Sequence, residues 1–449
     1  MSNPYSDPPS EVEALNASPK SNPVLIIRLA IMMFLQFFIW GSWYVSMNGF
    51  LSSEAAGMKD YISTAYTVAP IAAIVAPLSL GLIADRLLNT EWVLAILNLL
   101  GAGLLYLTPT LVQAGSEPGL LQQFTHPFVI SLLLYMICFM PTLGLTASLS
   151  FKHLTNGEKE FPIVRVLGTI GWIVGNWAMW LCRSMGADAA AFADNSPHIF
   201  HAAAIASAIL GVYCLTLPKT LPPAKGEPIS IGKVLGFDAW SLMKDPAYLV
   251  FALASFLICI PLAGYYAFGY GYVESQGITL LGSTTGAMST GQMSEIFFML
   301  IMPLCFARLG VKNMLAIGMF AWVARYGLWG FAFGQTGVLL TLPIFLGILL
   351  HGICYDFFFV TGMIYTDSKA KPEVRGQAQS LIVLLTQGLG LGLGAQLFGW
   401  WEKQCTTADG LQWNTLWYVP AGFALAVMVG FMILFWDRTK KLPEGGSGH

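Results

Sequence analysis

Long, uninterrupted apolar runs are the feature that most limits what this chain can fold into. About 20 predominantly apolar residues are needed for a helix to cross a bilayer core of about 30 Å, and the 449-residue sequence contains twelve such stretches. Continuous runs favour helices over barrel strands, which alternate in polarity over about 10 residues. Only 10% of the residues are charged, against roughly 25% in soluble domains. The sequence therefore predicts an all-α polytopic membrane protein with twelve transmembrane helices.

The predicted spans form two sets of six on either side of the longest polar connection, residues 218–245. This organisation is typical of the major facilitator fold, in which substrate binds near mid-membrane between two six-helix halves. The predicted spans are 25–46, 62–84, 92–113, 127–150, 162–184, 199–217, 246–272, 284–306, 312–333, 337–365, 376–400 and 414–436. The corresponding divisions are a cytoplasmic tail (1–22), an N-terminal half (23–217), a cytoplasmic linker (218–245), a C-terminal half (246–436) and a cytoplasmic tail (437–449), whose final Gly-Gly-Ser-Gly-His resembles residues added for expression.

Lysine and arginine lie mainly on one predicted side of the membrane. With a cytoplasmic N-terminus, seventeen of the 22 fall inside, Lys59, Arg183 and Lys403 fall outside, and Arg165 and Arg325 lie within spans. The positive-inside rule then puts both termini in the cytoplasm and favours an even number of spans. We therefore expect a multi-pass protein of the cell (inner) membrane.

Several functional classes are disfavoured by the composition. A net charge of −2 provides no basic surface for nucleic acid. The seven cysteines are scattered without a C-x-x-C pair, so neither a disulfide framework nor a zinc site is expected. The connecting segments contain no nucleophile–base pair or Gly-rich phosphate loop, which disfavours an enzyme. We expect a monomer in the lipid bilayer that binds a small molecule and uses no metal or cofactor.

Charged side chains within the spans are few, and each costs about 2.5–3.5 kcal/mol on insertion scales. They are Arg165, Glu295, Arg325 and Asp356, together with the titratable His351. Such groups usually mark a substrate or proton pathway. Structural alternatives stay open: Arg165 could extend its charge to the interface, either carboxylate could pair with an arginine, and His351 could be a packing residue. Arg325 is expected to be structural or interfacial.

Helical spacing places most of these groups on faces that also carry amide, hydroxyl or aromatic side chains. Such a combination suits a neutral polar ligand with a flat apolar face. A nucleobase is one example, because its stacking on an aromatic side chain is worth about 1–3 kcal/mol and needs only a π-face. The grouped residues are Arg165, Thr169 and Trp172 on span five, Gln292 and Glu295 on span eight, and His351, Tyr355 and Asp356 on span ten.

Short motifs from span one to span eleven match one family in order. They are LQFFIWGSW (35–43), GLIADR (81–86), MPTLGL (140–145), FPIVRVLGTIG (161–171), QMSE (292–295), RLGVKN (308–313), YDFF (355–358) and RGQAQ (375–379). Through this ordered set the chain closely resembles the bacterial nucleoside:proton symporters of the major facilitator superfamily.

The resemblance implies a substrate site, but only some of its positions hold the residue that the family has there. Trp172 and Tyr355 stand where the family has phenylalanine, while Ala263, Tyr266 and His351 stand where it has Gln, Asn and Tyr. Tyr266 and His351 are still counted as substrate-binding positions, but two lost amides leave the identity of the substrate open. The positions that match the family pattern are Arg165, Thr169, Gln292, Glu295 and Asp356.

The mechanism implied by the resemblance is proton-coupled symport of nucleosides into the cell by alternating access. Asp356 and then Glu295 are the candidate proton carriers, because a desolvated carboxyl group favours its neutral form. Asp85 and Arg86, after span two, are expected to form a cytoplasmic gating contact. The alternatives are a major facilitator symporter for another small polar solute, such as a sugar, and a membrane receptor that binds without transporting.

Overall fold

Helices make up nearly all of the regular structure in a computed structural model of the protein. The structure describes residues 21–79, 88–113, 119–222, 237–371 and 374–437. The predicted gating residues Asp85 and Arg86, and half of the predicted linker (223–236), lie outside the described residues.

The N-terminal part of the described chain consists of helices joined by short connections. They are α1 (Pro23–Trp43), α2 (Met47–Ser52), α3 (Ile62–Ser79), α4 (Thr90–Leu107), α5 (Leu120–Thr125), α6 (Pro127–His153), α7 (Gly157–Asn176), α8 (Ala178–Ser184) and α9 (His198–Cys214). Short 3₁₀ helices cover Lys59–Tyr61 and Thr108–Leu111.

The C-terminal part begins with a 3₁₀ helix, Phe237–Lys244, and continues with longer helices. They are α10 (Pro246–Ser275), α11 (Thr284–Ala332), α12 (Val338–Leu349), α13 (Thr361–Lys369), α14 (Arg375–Val383), α15 (Leu391–Cys405) and α16 (Trp413–Leu434). Two π-helical segments, Ile353–Val360 and Leu384–Gly390, join α12 to α13 and α14 to α15. Strands β1 (Thr406–Thr407) and β2 (Gly410–Leu411) form a small antiparallel hairpin that was not predicted.

The predicted spans overlap these helices, although span 162–184 falls on two of them, α7 and α8. The helical membrane fold class is confirmed. Within the described ranges, eight helical segments are long and apolar enough to cross a membrane. One of them, α11, contains Gly310 at φ 69° and ψ 174°, a backbone conformation that suits glycine. This break separates the predicted spans 284–306 and 312–333. The number of membrane crossings remains a prediction.

Some helix starts follow directly from the sequence. Proline occupies the first turn of α1, α6 and α10, where its missing N–H costs no helical hydrogen bond. The Asn22 side chain accepts a hydrogen bond from the Val24 N–H (2.9 Å), and Asp245 accepts one from the Ala247 N–H (2.9 Å). These caps satisfy donors that have no partner inside the helix.

Glycines set the distance between α1 and α7. A Cβ atom on Gly171 would overlap the carbonyl oxygen of Phe34, and one on Gly175 would lie 2.6 Å from that of Phe38. Gly171 and Gly175 are four residues apart, the spacing that lets two membrane helices approach closely. This contact places Arg165, Thr169 and Trp172 beside α1.

Candidate substrate-binding site

A cavity of about 260 Å³ lies between residues of the two predicted halves. It is lined from the N-terminal half by α1, α6 and α7, and from the C-terminal half by α10, α11 and the two π-helical regions. Eight of the nine predicted substrate-binding residues line it: Arg165, Thr169, Trp172, Tyr266, Gln292, Glu295, His351 and Tyr355. The ninth, Asp356, is buried next to Tyr355 and does not line the cavity.

The N-terminal wall combines a cation with aromatic rings. The Arg165 guanidinium lies 4.3 Å from the centre of the Phe37 ring, a separation at which cation and ring attract. Trp172 packs edge-to-face against Trp40, with ring centroids 5.3 Å apart. Among the described carboxylates, none lies within 4.0 Å of Arg165. Its charged group is therefore held in place but remains available to a ligand.

The C-terminal wall depends on a close contact between α11 and the start of the first π-helical region. A Cβ atom on Gly352 would lie 2.7 Å from the backbone nitrogen of Glu295. The residue before Gly352, His351, lines the cavity and also stacks on Tyr265 at a centroid distance of 5.6 Å. Both interpretations of His351 in the sequence analysis, packing and site membership, therefore fit its position. Tyr355 also stacks on His351, with ring centroids 6.2 Å apart.

Asp356 is fully buried within the first π-helical segment. Neither of its carboxylate oxygens has a hydrogen-bond partner in the described part of the chain. Asp356 interacts electrostatically with Glu295, and Glu295 with Arg165. Because an unpaired buried carboxylate is costly, and π-helical segments are frequent at functional sites, this position favours a functional role.

The structural ion pairs considered from the sequence are not formed. Neither Glu295 nor Asp356 lies within 4.0 Å of Arg165 or Arg325. Arg325 is instead buried away from the cavity, where its Nε donates to the Gly347 carbonyl oxygen (2.9 Å).

Of the two substituted positions on α10, only one reaches the cavity. Tyr266 lines it and packs against Tyr44 from the other half, with ring centroids 5.8 Å apart. Ala263 is buried beside Gly394, at which a Cβ atom would lie 2.7 Å from that of Ala263. Where the family has a glutamine, Ala263 therefore offers the ligand no polar side-chain atom.

Sequence analysis missed part of the lining. Phe37, Trp40, Tyr44, Phe359 and Gln387 also line the cavity. Trp40 and Tyr44 are four residues apart on one helical face, and Gln387 is an isolated amide in an apolar run. Both signals were present in the sequence, but neither involves a charge or a position that the family resemblance singled out for substrate binding.

The two halves are joined at the end of the bundle predicted to face outside, which we call the outer end. Asn48 Nδ2 donates to the Ala267 carbonyl oxygen at 2.6 Å. The Lys59 and Glu402 side chains lie 3.5 Å apart. Because the lysine of this pair is largely exposed, the salt bridge contributes little by itself. Together with the hydrogen bond, it joins the two halves at the outer end.

Comparison with known proteins agrees with this arrangement. A sequence model of the nucleoside H+ symporter family matches residues 24–440. The Escherichia coli (strain K12) protein YegT is 38% identical over 423 residues, covering 92% of this chain and 95% of that protein. The nucleoside permease NupG of the same strain is 30% identical over 435 residues, covering 94% of this chain and 98% of NupG.

The fold is also similar to that of a solved transporter. The crystal structure of the nucleoside transporter NupG superimposes with a TM-score of 0.77 at 28% sequence identity, covering 92% of this chain and 100% of that one. The family match spans all of the helices that build the cavity. By its sequence and its fold, this chain belongs to the nucleoside H+ symporter family, a family of membrane transporters.

Proposed function

We propose that this chain carries nucleosides into the cell together with protons, by alternating access of the regions 23–217 and 246–436. The observation that carries the proposal is the cavity itself, which places an unpaired arginine and a carboxylate from opposite halves among aromatic rings. We further propose that the chain works as a monomer in the inner membrane. Both termini are proposed to lie in the cytoplasm, as the distribution of lysine and arginine predicts.

The base is proposed to stack on the aromatic side chains of the cavity. Trp40, Trp172 and Tyr355 offer ring faces or edges from both halves, and stacking tolerates any base because every base has a π-face. Gln292 can donate and accept hydrogen bonds at the edge of the base. Glu295 can accept hydrogen bonds from the ribose hydroxyls, and such charge-assisted bonds are about twice as strong as neutral ones.

The proton is proposed to bind Asp356. A carboxyl group without a partner in a buried position is stabilised by taking up a proton, because its charge is then removed. Proton and substrate would then bias the same two-state movement of the halves. Glu295 is the second candidate carrier.

The test is uptake into proteoliposomes with a panel of nucleosides and sugars, with and without an imposed pH gradient. We expect saturable uptake of nucleosides that a gradient, acidic outside, makes concentrative. Uptake of a sugar that no nucleoside competes with would contradict the proposal. That result would favour a symporter for another polar solute, an alternative supported by the absence of a polar side chain at Ala263.

A further inference from the structure

A second contact between the halves lies outside the cavity, at the outer end of α7, α8 and α11. Trp177, Trp180 and Arg183 are three residues apart and each donates a hydrogen bond across to the other half. Their acceptors are the Ser289 hydroxyl (2.9 Å from Trp177 Nε1), the Leu281 carbonyl (3.0 Å from Trp180 Nε1) and the Gly282 carbonyl (3.3 Å from an Arg183 terminal nitrogen).

A buried carboxylate is at the centre of this contact. Asp194 precedes α9 in the first half, and its side chain is 8% exposed. One oxygen pairs with Arg183 at 3.0 Å. The other accepts hydrogen bonds from the Ser283 hydroxyl (2.7 Å), the Thr285 hydroxyl (3.1 Å) and the Thr285 N–H (3.3 Å) of the second half. Asp194 thus joins the two halves at the N-terminus of α11, where a negative charge is favourable.

The chain around this contact is shaped to permit it. A Cβ atom on Gly286 would lie 2.8 Å from the Trp177 ring, so only glycine admits the indole at this distance. Leu281 has φ 52°, the only positive φ among the described residues other than glycine. Such a conformation persists where the surroundings hold it in place, and Trp180 binds the Leu281 carbonyl.

The helices joined here also carry the candidate site. Ser283 caps α11 by accepting from the Gly286 N–H (3.0 Å), and Gln292 and Glu295 follow on the same helix. On the other side, α8 follows directly from α7, which carries Arg165. A movement of α11 away from α8 therefore changes the separation of the two cavity walls.

We propose that Asp194 is a positioning residue for transport, which holds these outer ends together while the cavity is closed from outside. We call the contacts of Trp177, Trp180, Arg183 and Asp194 with residues 281–289 the outer latch. Opening of the cavity to the outside requires this latch to separate. The inference rests on the alternating access proposed above, but not on the identity of the substrate or of the proton carrier.

The test compares Asp194→Asn with Asp188→Asn. Asp188 lies before α9 in the same connection, and its carboxylate bonds to the Ala191 N–H at 2.8 Å, within its own half. Spin labels at Met185 and Thr279, which are exposed on the two sides of the latch, report the separation of the outer ends. We expect Asp194→Asn to increase the ratio of long to short distances about tenfold, the effect of losing roughly 1.5 kcal/mol from a charged hydrogen bond. Asp188→Asn should match the parent protein.

A second readout follows access from outside. Met288 is buried between the latch and the cavity, where it shares a small void with Trp172 and Gln292. In a background without native cysteines, a membrane-impermeant thiol reagent should label Met288→Cys about tenfold faster when Asp194→Asn is present. Parental labelling and parental distances in folded Asp194→Asn protein would show that the carboxylate is only structural, and would overturn the proposal.

Two milder variants keep the test decisive if Asp194→Asn does not fold. Ser283→Ala removes one hydrogen bond to the carboxylate, and Trp180→Phe removes the bond to the Leu281 carbonyl while retaining a ring. Each should shift both readouts in the same direction as Asp194→Asn, and parental values in both would contradict the latch.

The test also separates this inference from the proposed function. Since neither readout uses nucleoside or a pH gradient, a latch response without nucleoside uptake would disprove the proposed function alone. Nucleoside uptake with an unresponsive latch would disprove this inference alone.

Discussion

Arg165 and Glu295 line one cavity from opposite halves of the chain and interact electrostatically, yet they form no salt bridge within 4.0 Å. A closed pair would hold the halves together and leave neither group free for a ligand. The open pair keeps both available, and a ligand that bridges them can draw the two walls together. The prediction for Arg165 below follows from this arrangement.

Replacing Asp356 with Asn should abolish concentrative uptake driven by a pH gradient and leave counterflow exchange at least partly intact. Its carboxylate has no hydrogen-bond partner in the described chain, so the melting temperature should stay close to that of the parent. A structural pair would behave differently, because removing one partner of a buried pair costs about 3–5 kcal/mol. Gradient-driven uptake, counterflow exchange and the melting temperature should all be measured on the same purified variants. A stable Asp356→Asn protein that still concentrates substrate would make Glu295 the leading carrier.

Replacing Arg165 with Ala should weaken substrate binding equally in counterflow and in gradient-driven uptake. The loss of hydrogen bonds from a charged group, about 1.5–3 kcal/mol, corresponds to a rise in KM of about tenfold to 150-fold. Arg165→Lys should be intermediate, because it retains the charge without the planar fork. Lys244→Ala, at an exposed position, is the control and should match the parent. An unchanged KM in Arg165→Ala would show that this residue does not contact substrate.

Replacing Gly171 with Ala should destabilise the protein, because the added methyl group meets the Phe34 carbonyl of α1. Overpacking of this kind costs about 1–3 kcal/mol. Gly103, on α4, is the matched control, since a Cβ atom there has no neighbour within 4 Å. Gly103→Ala should be neutral or stabilising by up to about 1 kcal/mol, because alanine favours the helix. Thermal melting in detergent checks both, and equal melting temperatures would contradict the close approach of α1 and α7.

The ion pair of Asp245 with Lys369 (3.2 Å) should make stability depend on acid pH. Partial burial alone would raise the pKa of Asp245, but the hydrogen bonds from Lys369 and the Ala247 N–H hold that pKa below its ordinary value of 3.8. The stabilisation is therefore complete above about pH 4 and is lost as the pH falls through the lowered pKa. Asp245→Asn retains the helix cap and should lower stability by up to about 1 kcal/mol at pH 7.

The difference in melting temperature between the parent and Asp245→Asn should shrink as the pH falls through the lowered pKa of Asp245, because the parent carboxyl then becomes neutral as well. Asp409→Asn, in the exposed hairpin turn, is the control and should show no such convergence. A difference that stays constant with pH would mean that the ion pair does not contribute.

Topology can be checked at Leu121, which is 76% exposed on α5. The positive-inside rule places residues 114–126 outside. An impermeant thiol reagent should therefore label Leu121→Cys from outside only, relative to a parent without cysteines. Labelling from the cytoplasmic side would reverse the whole predicted orientation.

Much of the candidate site was predictable because charges in apolar spans are rare and helical spacing is regular. Arg165, Thr169 and Trp172 were assigned to one face, and all three line the cavity. Asp356 shows the limit of the method. Adjacent residues on a helix point in different directions, and only Tyr355 of the pair lines the cavity.

Other features could not be predicted because they depend on tertiary contacts. The predicted span 162–184 is divided at Trp177, whose φ and ψ of −91° and 0° interrupt the helix between α7 and α8. The closeness of α1 and α7 depends on carbonyl groups of the partner helix, which sequence spacing does not reveal. The outer latch is formed by Asp194 in a connecting segment, where an acidic residue would ordinarily be assigned to solvent.

The two π-helical segments have a consequence for tolerance to insertions and deletions. A π-turn contains an extra residue relative to an α-turn. Deletion of one residue from Ile353–Val360 would therefore convert a π-turn into an α-turn and keep the segment helical. The residues on either side would then rotate relative to one another by about 100°. If His351 kept its position in the cavity wall, the helix Thr361–Lys369 would present a different face to the helices that pack against it. At this position a single-codon deletion would preserve the secondary structure and yet change which side chains the cavity presents, so natural length variation in the family should avoid it.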